Sequence, residues 1–259
     1  MDRRSFLLKG ASLLGGYLLG FSGFSKAFAL EKQIHNASLT PSIALIIDDI
    51  GGSVFRARHF LKLNIPVTFS ILPRLKYSNM LALEINNYGH EIMLHQPMEP
   101  YDQRLDPGPG ALFTGDDPNK ITEIIEENIS ELPLARGINN HMGSRFTESQ
   151  GEMTETLKII KNRGFFFVDS RTSLHSQAYK IARTMNMPAA YRHIFLDNVP
   201  FEPAILFQLR KLKQCAMQHG NAIGIGHPFL QTANALRFFM EELKKTEVAF
   251  VYISRVLNN

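Results

Sequence analysis

Between residues 43 and 252 the sequence changes period again and again, and this most restricts what the chain can become. Short apolar runs alternate with longer segments whose apolar residues recur at helical spacing. The runs are Ile43-Ala44-Leu45-Ile46-Ile47, Pro66 to Leu72 (closed by Pro73), Glu91 to Leu94, Phe165 to Val168, Ala222 to Ile225 and Val248 to Tyr252. A short strand is also expected to end in Gly137-Ile138-Asn139-Asn140-His141, and another lies near Ala190. Helices are expected over 54–63, 78–88, 117–132, 149–163, 175–186, 200–218 and 231–244. Asp117-Pro118 is a helix start, with Asp as the cap and Pro in the first turn. Strands apolar at successive positions are buried on both faces, which is the habit of parallel sheets covered by helices. The expected fold class is therefore α/β: a single-domain distorted (β/α) barrel of about seven mainly parallel strands, over residues 43–259. No Gly-x-Gly-x-x-Gly occurs, which argues against a dinucleotide-binding sheet.

Polar residues fall in one place along this pattern. Asp48-Asp49, His95, Asn140-His141, Asp169 and His227 each follow an apolar run, at the C-terminal end of an expected strand. In (β/α) barrels that rim gathers catalytic groups. Each signal alone has a plain structural reading. One Asp of the pair can cap the helix near Ser53 while the other is solvated. A lone His before Pro228, or one in Asn-Asn-His-Met-Gly-Ser, serves as readily to bond backbone carbonyls. His95 and Glu99 have the i, i+4 interval that lets side chains meet on one helical turn, provided Pro97 sits near its start. Taken together, one carboxylate and two or more imidazoles suit zinc or another borderline divalent ion. A second Asp and a spare His add an acid/base pair for metal-assisted hydrolysis.

Composition narrows the partners. The net charge of +4 is concentrated at the start: residues 1–29 hold Arg3, Arg4, Lys9 and Lys26 against Asp2 alone, and the remainder is nearly neutral. Without a basic stripe interleaved with aromatics, nucleic acid is not an expected partner. The single cysteine, Cys215, excludes an internal disulfide and a Cys-rich zinc site. Residues 1–29 combine paired arginines before Ser-Phe-Leu-Leu, a Gly-rich apolar run and Ala27-Phe28-Ala29. They are similar to a twin-arginine-type signal peptide of bacteria, which implies a periplasmic or secreted protein. Membrane contact is then expected only through this segment if it stays uncleaved. Residues 30–42 are expected to be a linker. The irregular, Pro-rich stretch 95–117 is too long for a plain connection, and its loop 96–117, with Tyr101, Leu112 and Phe113, is a candidate substrate wall.

Several of these segments together resemble the divergent polysaccharide deacetylase family, a branch of the carbohydrate esterase-type deacetylases. They are Ile46 to Gly51, Gly89-His90-Glu91 with His95 to Pro100, Asn139 to Ser144, Val168-Asp169-Ser170, Phe195-Leu196-Asp197 and Gly226-His227-Pro228. The resemblance implies Asp48 as catalytic base, Asp49 and His95 as metal ligands, and His227 as general acid. Glu99 stands where the broader family has a second His, so Glu99 or His141 becomes the third ligand. Asp169 is expected to orient a His or hold the base. The implied activity is removal of acetyl groups from an N- or O-acetylated envelope polysaccharide or oligosaccharide. Its alternative is a degenerate periplasmic carbohydrate-binding or envelope-maintenance protein, because Asn-Asn-His-Met-Gly replaces the family's Arg-x-Pro-Tyr. A metallophosphoesterase ranks last, for want of Asp-x-His and Gly-His-x-His.

Overall fold

The computed structural model describes residues 40–257, so the expected signal peptide and most of the expected linker lie outside the described residues. Nine strands form one sheet: β1 (Ser42–Ile50), β2 (Thr68–Ile71), β3 (Glu91–Met98), β4 (Gly137–Met142), β5 (Phe166–Asp169), β6 (Ala189–Tyr191), β7 (Ile194–Phe195), β8 (Asn221–Gly226) and β9 (Ala249–Val251). Helices α1 (Val54–Leu61), α2 (Ser78–Asn87), α3 (Pro118–Glu131), α4 (Gln150–Asn162), α5 (Ala178–Thr184), α6 (Glu202–His219) and α7 (Leu230–Leu243) make the crossovers. All strand pairings are parallel, in the order β6-β5-β4-β3-β2-β1-β8-β7, as the both-face-apolar runs predict. No helix among the described residues is long and apolar enough to cross a membrane.

The two ends of that order are one piece of chain. Arg192 and His193 alone separate β6 from β7. The Arg192 N–H donates to Asp169 O (3.0 Å) on β5, and the next N–H, of His193, donates to Ile223 O (2.9 Å) on β8. A bent strand over 189–195 thus has neighbours on both sides, and the sheet curls into a distorted barrel. β9 pairs only with Ser42 to Ala44, at the base of β1. Ser42, expected in the linker, already belongs to β1.

Period-2 alternation sorts the strand residues into two cores. Ile43, Leu45 and Ile47 pack outward with Phe69, Ile71, Leu94, Ile138 and the helices. Ala44, Ile46, Met93, Phe166, Val168, Ile223 and Ile225 fill the interior, closed from below by Ile253, Val256 and Leu257 of the C-terminal turn. Each buried Ile contributes roughly 1.5–3 kcal/mol. Gly137 is a packing necessity, since a Cβ there would stand 2.2 Å from the Phe166 ring.

One strand runs further than the sequence implies. β3 continues through His95-Gln96-Pro97-Met98, expected to be irregular, and pairs with β4 as far as Met98↔Met142. Pro97 is tolerated because it lies past the last pairing of β2, at Ile71↔Leu94. Its carbonyl there accepts from Leu112 N (3.0 Å), and its missing N–H costs no ladder bond.

Candidate metal centre

Adjacent residues on a strand point to opposite faces, so Asp48 and Asp49 reach one site only if the pleat breaks between them. It does. The register of β1 against β2 shifts between Ile47 and Ile50, and Asp49 has φ 57°, the left-handed region unusual outside glycine. Asp48 keeps the interior parity of Ala44 and Ile46, while the bulge swings the Asp49 carboxylate over the same rim.

There Asp49 Oδ1 lies 3.2 Å from His95 Nε2 and 2.9 Å from His141 Nδ1. The two ring nitrogens are 3.2 Å from each other. Asp49, His95 and His141 form a three-residue group with ligand-type atoms all within 4.8 Å of one another. A four-coordinate ion with bonds of 2.0–2.1 Å keeps its ligand atoms about 3.3 Å apart, so the donor set fits a divalent cation. Asp49 Oδ1 is buried without a hydrogen-bond partner, an orphan that a cation would satisfy. The His95 tautomer fits too. Its Nδ1 lies 2.8 Å from Asn139 Oδ1, an acceptor, which places the proton on Nδ1 and the Nε2 lone pair toward Asp49.

Asn139 organises the floor of the site. Its Nδ2 donates to Asp48 Oδ1 (2.9 Å) and Ser170 Oγ (3.2 Å), while its Oδ1 also accepts from the Ser70 hydroxyl. Asp48 is buried, with Oδ2 3.6 Å from His95 Nε2. Burial pushes its carboxyl up from the ordinary carboxylate range, outweighing the neighbouring His95 and His227. Burial would raise Asp49 as well, but the His141 and His95 imidazoles hold it far below the usual range. For His95, burial opposes the charge, and Asp48 and Asp49 together still raise its pKa.

On the opposite wall His227 directs Nε2 toward Asp49 Oδ2 (3.6 Å) and Nδ1 toward Asp197 Oδ1 (2.9 Å). The Asp197 carboxylate is fully buried, and its Oδ2 accepts from the His227 N–H (2.6 Å) and the Thr232 hydroxyl (2.7 Å). Burial works against charge on His227, but the Asp197 bond prevails and the imidazole is pushed up to about 9.

Asp48, Asp49, His95, His141 and His227 therefore meet at one rim. Two other candidates do not join them. Asp169 follows Val168, which faces the interior, so strand parity turns its carboxylate outward. It accepts from Arg171 N (2.8 Å), the Ser176 hydroxyl (2.8 Å) and Tyr179 N (3.2 Å), and holds neither a His nor Asp48. Glu99 needed a helical turn from His95, but four residues of extended chain span about 13 Å. Its carboxylate instead accepts from Thr114 N (2.8 Å) and pairs with Arg145 (3.2 Å), pinning the loop after β3. The roles expected of Asp169 fall to Asp197 for the imidazole and to Asn139 for Asp48. Asp197 follows the apolar run Ile194-Phe195-Leu196 just as the other rim residues follow theirs, so the signal was present in the sequence.

A parallel barrel with an acid–imidazole cluster at its C-terminal rim defines the chain as an α/β protein of the deacetylase type. The chain belongs to the divergent polysaccharide deacetylase family, whose model matches residues 45–257. It is similar to the uncharacterized protein YibQ of Escherichia coli K12, 29% identical over 233 residues that span 90% of this chain and 72% of that one. Among solved structures it is similar to an uncharacterized protein of Agrobacterium tumefaciens C58, at 24% identity and TM-score 0.80, over 84% of this chain and 89% of the other. More distant in sequence is the catalytic domain of a peptidoglycan N-acetylglucosamine deacetylase from Eubacterium rectale, at 15% identity and TM-score 0.54 (82% and 88% covered). A CE4 family pseudoenzyme from Bacillus anthracis matches at 15% and TM-score 0.53 (84% and 66% covered). These structural likenesses establish the fold.

Proposed function

We propose that the protein is a metal-dependent hydrolase that removes acetyl groups from an N- or O-acetylated envelope polysaccharide or oligosaccharide. The observation behind this reading is the convergence of Asp49, His95 and His141 beside a buried Asp48 and the His227–Asp197 pair. Asp49, His95 and His141 would hold a divalent cation, zinc being the best match to one carboxylate and two imidazoles. When bound, such a cation lowers the pKa of water toward ~7 and polarises an acyl oxygen. Asp48, its affinity for a proton raised by burial, is suited to take one from the attacking water. His227, held through Nδ1 by Asp197 and cationic at neutral pH, is suited to give the Nε2 proton to the departing amine or hydroxyl. Asn139 fixes the Asp48 carboxylate and the His95 tautomer together. The arginine-paired, apolar segment at residues 1–29 supports export, so the site would work in the periplasm or outside the cell.

A second reading keeps the pocket but removes turnover: a periplasmic carbohydrate-binding or envelope-maintenance protein. The replacement of the family's Arg-x-Pro-Tyr by Asn139-Asn140-His141-Met142-Gly143 favours it, as does the fold shared with a pseudoenzyme. Metal analysis of the purified chain and acetate release from a panel of acetylated glycans separate the two. The hydrolase reading expects one ion per chain, lost in Asp49→Ala and His95→Ala. It also expects acetate release to fall by roughly 10²–10⁴ in Asp48→Asn. A metal-free protein of unchanged fold, or equal release by wild type and Asp48→Asn, would overturn it.

A further inference from the structure

The reacting groups open onto a cleft of about 410 Å³ whose lining includes Asp49, Gly52, Arg56, His227, Pro228 and Phe229. That volume lies within the ~300–1,000 Å³ of small-ligand pockets. Its walls are of three kinds. The Phe229 ring lies 5.6 Å from the His227 ring at an interplanar angle of 35°, an aromatic platform directly beside the proposed acid. Gly52 leaves open space, with nothing within 4 Å of where a Cβ would be. The third wall is a cation. Arg56 is exposed and its guanidinium has no carboxylate or hydrogen-bond acceptor among the described residues, although its own N–H is used by Ser53.

Arg58, two residues along the same helix, is clamped on Glu84 through Nε (2.8 Å) and Nη2 (3.2 Å). Arg74, Arg104, Arg145, Arg163 and Arg210 are likewise paired with Glu or Asp. Arg136, Arg183 and Arg255 are as exposed and unpaired as Arg56 among the described residues, but they do not line the cleft, and Arg56 does. The carboxylate that shares the cleft, Asp49, faces His95, His141 and His227 and is not paired with Arg56. An unpaired, planar, two-pronged donor in a cleft that also offers an aromatic face is suited to a sugar ring bearing a carboxylate.

We infer that this cleft selects an acidic sugar, with Arg56 receiving a carboxylate on the acetylated residue or its neighbour while the ring packs against Phe229. The carboxylate is either that of a hexuronic acid or that of a carboxyl ether on an amino sugar. The inference rests on the hydrolase reading for what happens to the acetyl group, but not for what binds.

Calorimetry on the purified, metal-containing chain tests it with three probes: an O-acetylated oligogalacturonide, a disaccharide containing N-acetylmuramic acid, and a neutral N-acetylglucosamine disaccharide. One acidic probe should bind roughly two- to fivefold tighter than the neutral one, as for a single exposed charge pair. The acidic-to-neutral ratio should fall to about one in Arg56→Gln and be partly kept in Arg56→Lys. Whichever acidic probe shows the preference identifies the source of the carboxylate. Equal affinities, a preference that survives Arg56→Gln, or no binding of either acidic probe at millimolar concentration overturns the inference. Acetate release from the same samples keeps the two readings apart. Turnover without charge preference sinks the acidic-sugar inference alone, whereas charge preference without turnover sinks the hydrolase and leaves Arg56 its role.

Discussion

The barrel interior has two halves built from the same strands. Below, Ala44, Ile46, Met93, Phe166, Val168, Ile223 and Ile225 interlock with Ile253, Val256 and Leu257 and expose nothing ionisable. Above, two residues further along the same strands, Asp48, His95, Asn139 and His227 crowd together. The lower half is held by shape. The upper half is held by hydrogen bonds among groups that would each rather be in water. An apolar plug of fixed geometry lets the polar half be strained, as the φ of 57° at Asp49 shows, without loss of the fold. The two halves should therefore answer to different perturbations.

The largest effect is expected at the bottom. Gly137→Ala places a methyl 2.2 Å from the Phe166 ring and should cost roughly 3 kcal/mol, measured by denaturant unfolding. The double variant with Phe166→Leu should recover much of that loss, a coupling that a double-mutant cycle reads directly. If the two substitutions add independently, the lower half is not the interlocked plug described above.

Next comes pH, which should move only the upper half. His227 is raised in the folded state to about 9, from an unfolded value near 6.5. The sign follows from linkage: its contribution is complete below pH ~6.5 and is lost as pH rises through about 9. Chelator-treated protein should lose up to roughly 3 kcal/mol between pH 6 and pH 9.5, and Asp197→Asn should flatten that slope. An unchanged slope in Asp197→Asn would mean that Asp197 does not hold the charge on His227. Gly137→Ala should shift the whole curve downward and leave its slope alone.

This division also explains what could be read in advance. The strands were legible because burial on both faces writes itself as consecutive apolar residues, as in Ile43 to Ile47. The rim was legible because each polar residue breaks such a run at its end. Two features were not. The bent strand over 189–195 is interrupted by Arg192 and His193, so only its first part, near Ala190, reads as a strand. The end of β3 reads as loop because His95, Gln96 and Pro97 lack strand propensity and are held there by pairing with β4. That second failure misplaced Glu99. Nor does alternation explain how neighbouring Asp48 and Asp49 share a site, since a bulge leaves no mark in the residues flanking it.

The smallest effect expected is also the sharpest test of where the candidate metal centre ends. Glu99 and His141 were both candidates for the third ligand in the sequence, and β3 carries Glu99 past the rim to Arg145 and Thr114. Glu99→Gln removes one half-exposed ion pair and keeps an acceptor for the Thr114 N–H, so it should cost no more than about 1 kcal/mol. Its metal content should equal that of the wild type. His141→Ala removes a nitrogen 2.9 Å from Asp49 and should lose most of the bound ion while its unfolding midpoint, measured without metal, changes little. If the ion leaves with Glu99 instead, the loop after β3 must fold inward when metal binds. The boundary between the rigid barrel and its polar rim would then lie some five residues earlier, at the end of the segment that β2 still supports.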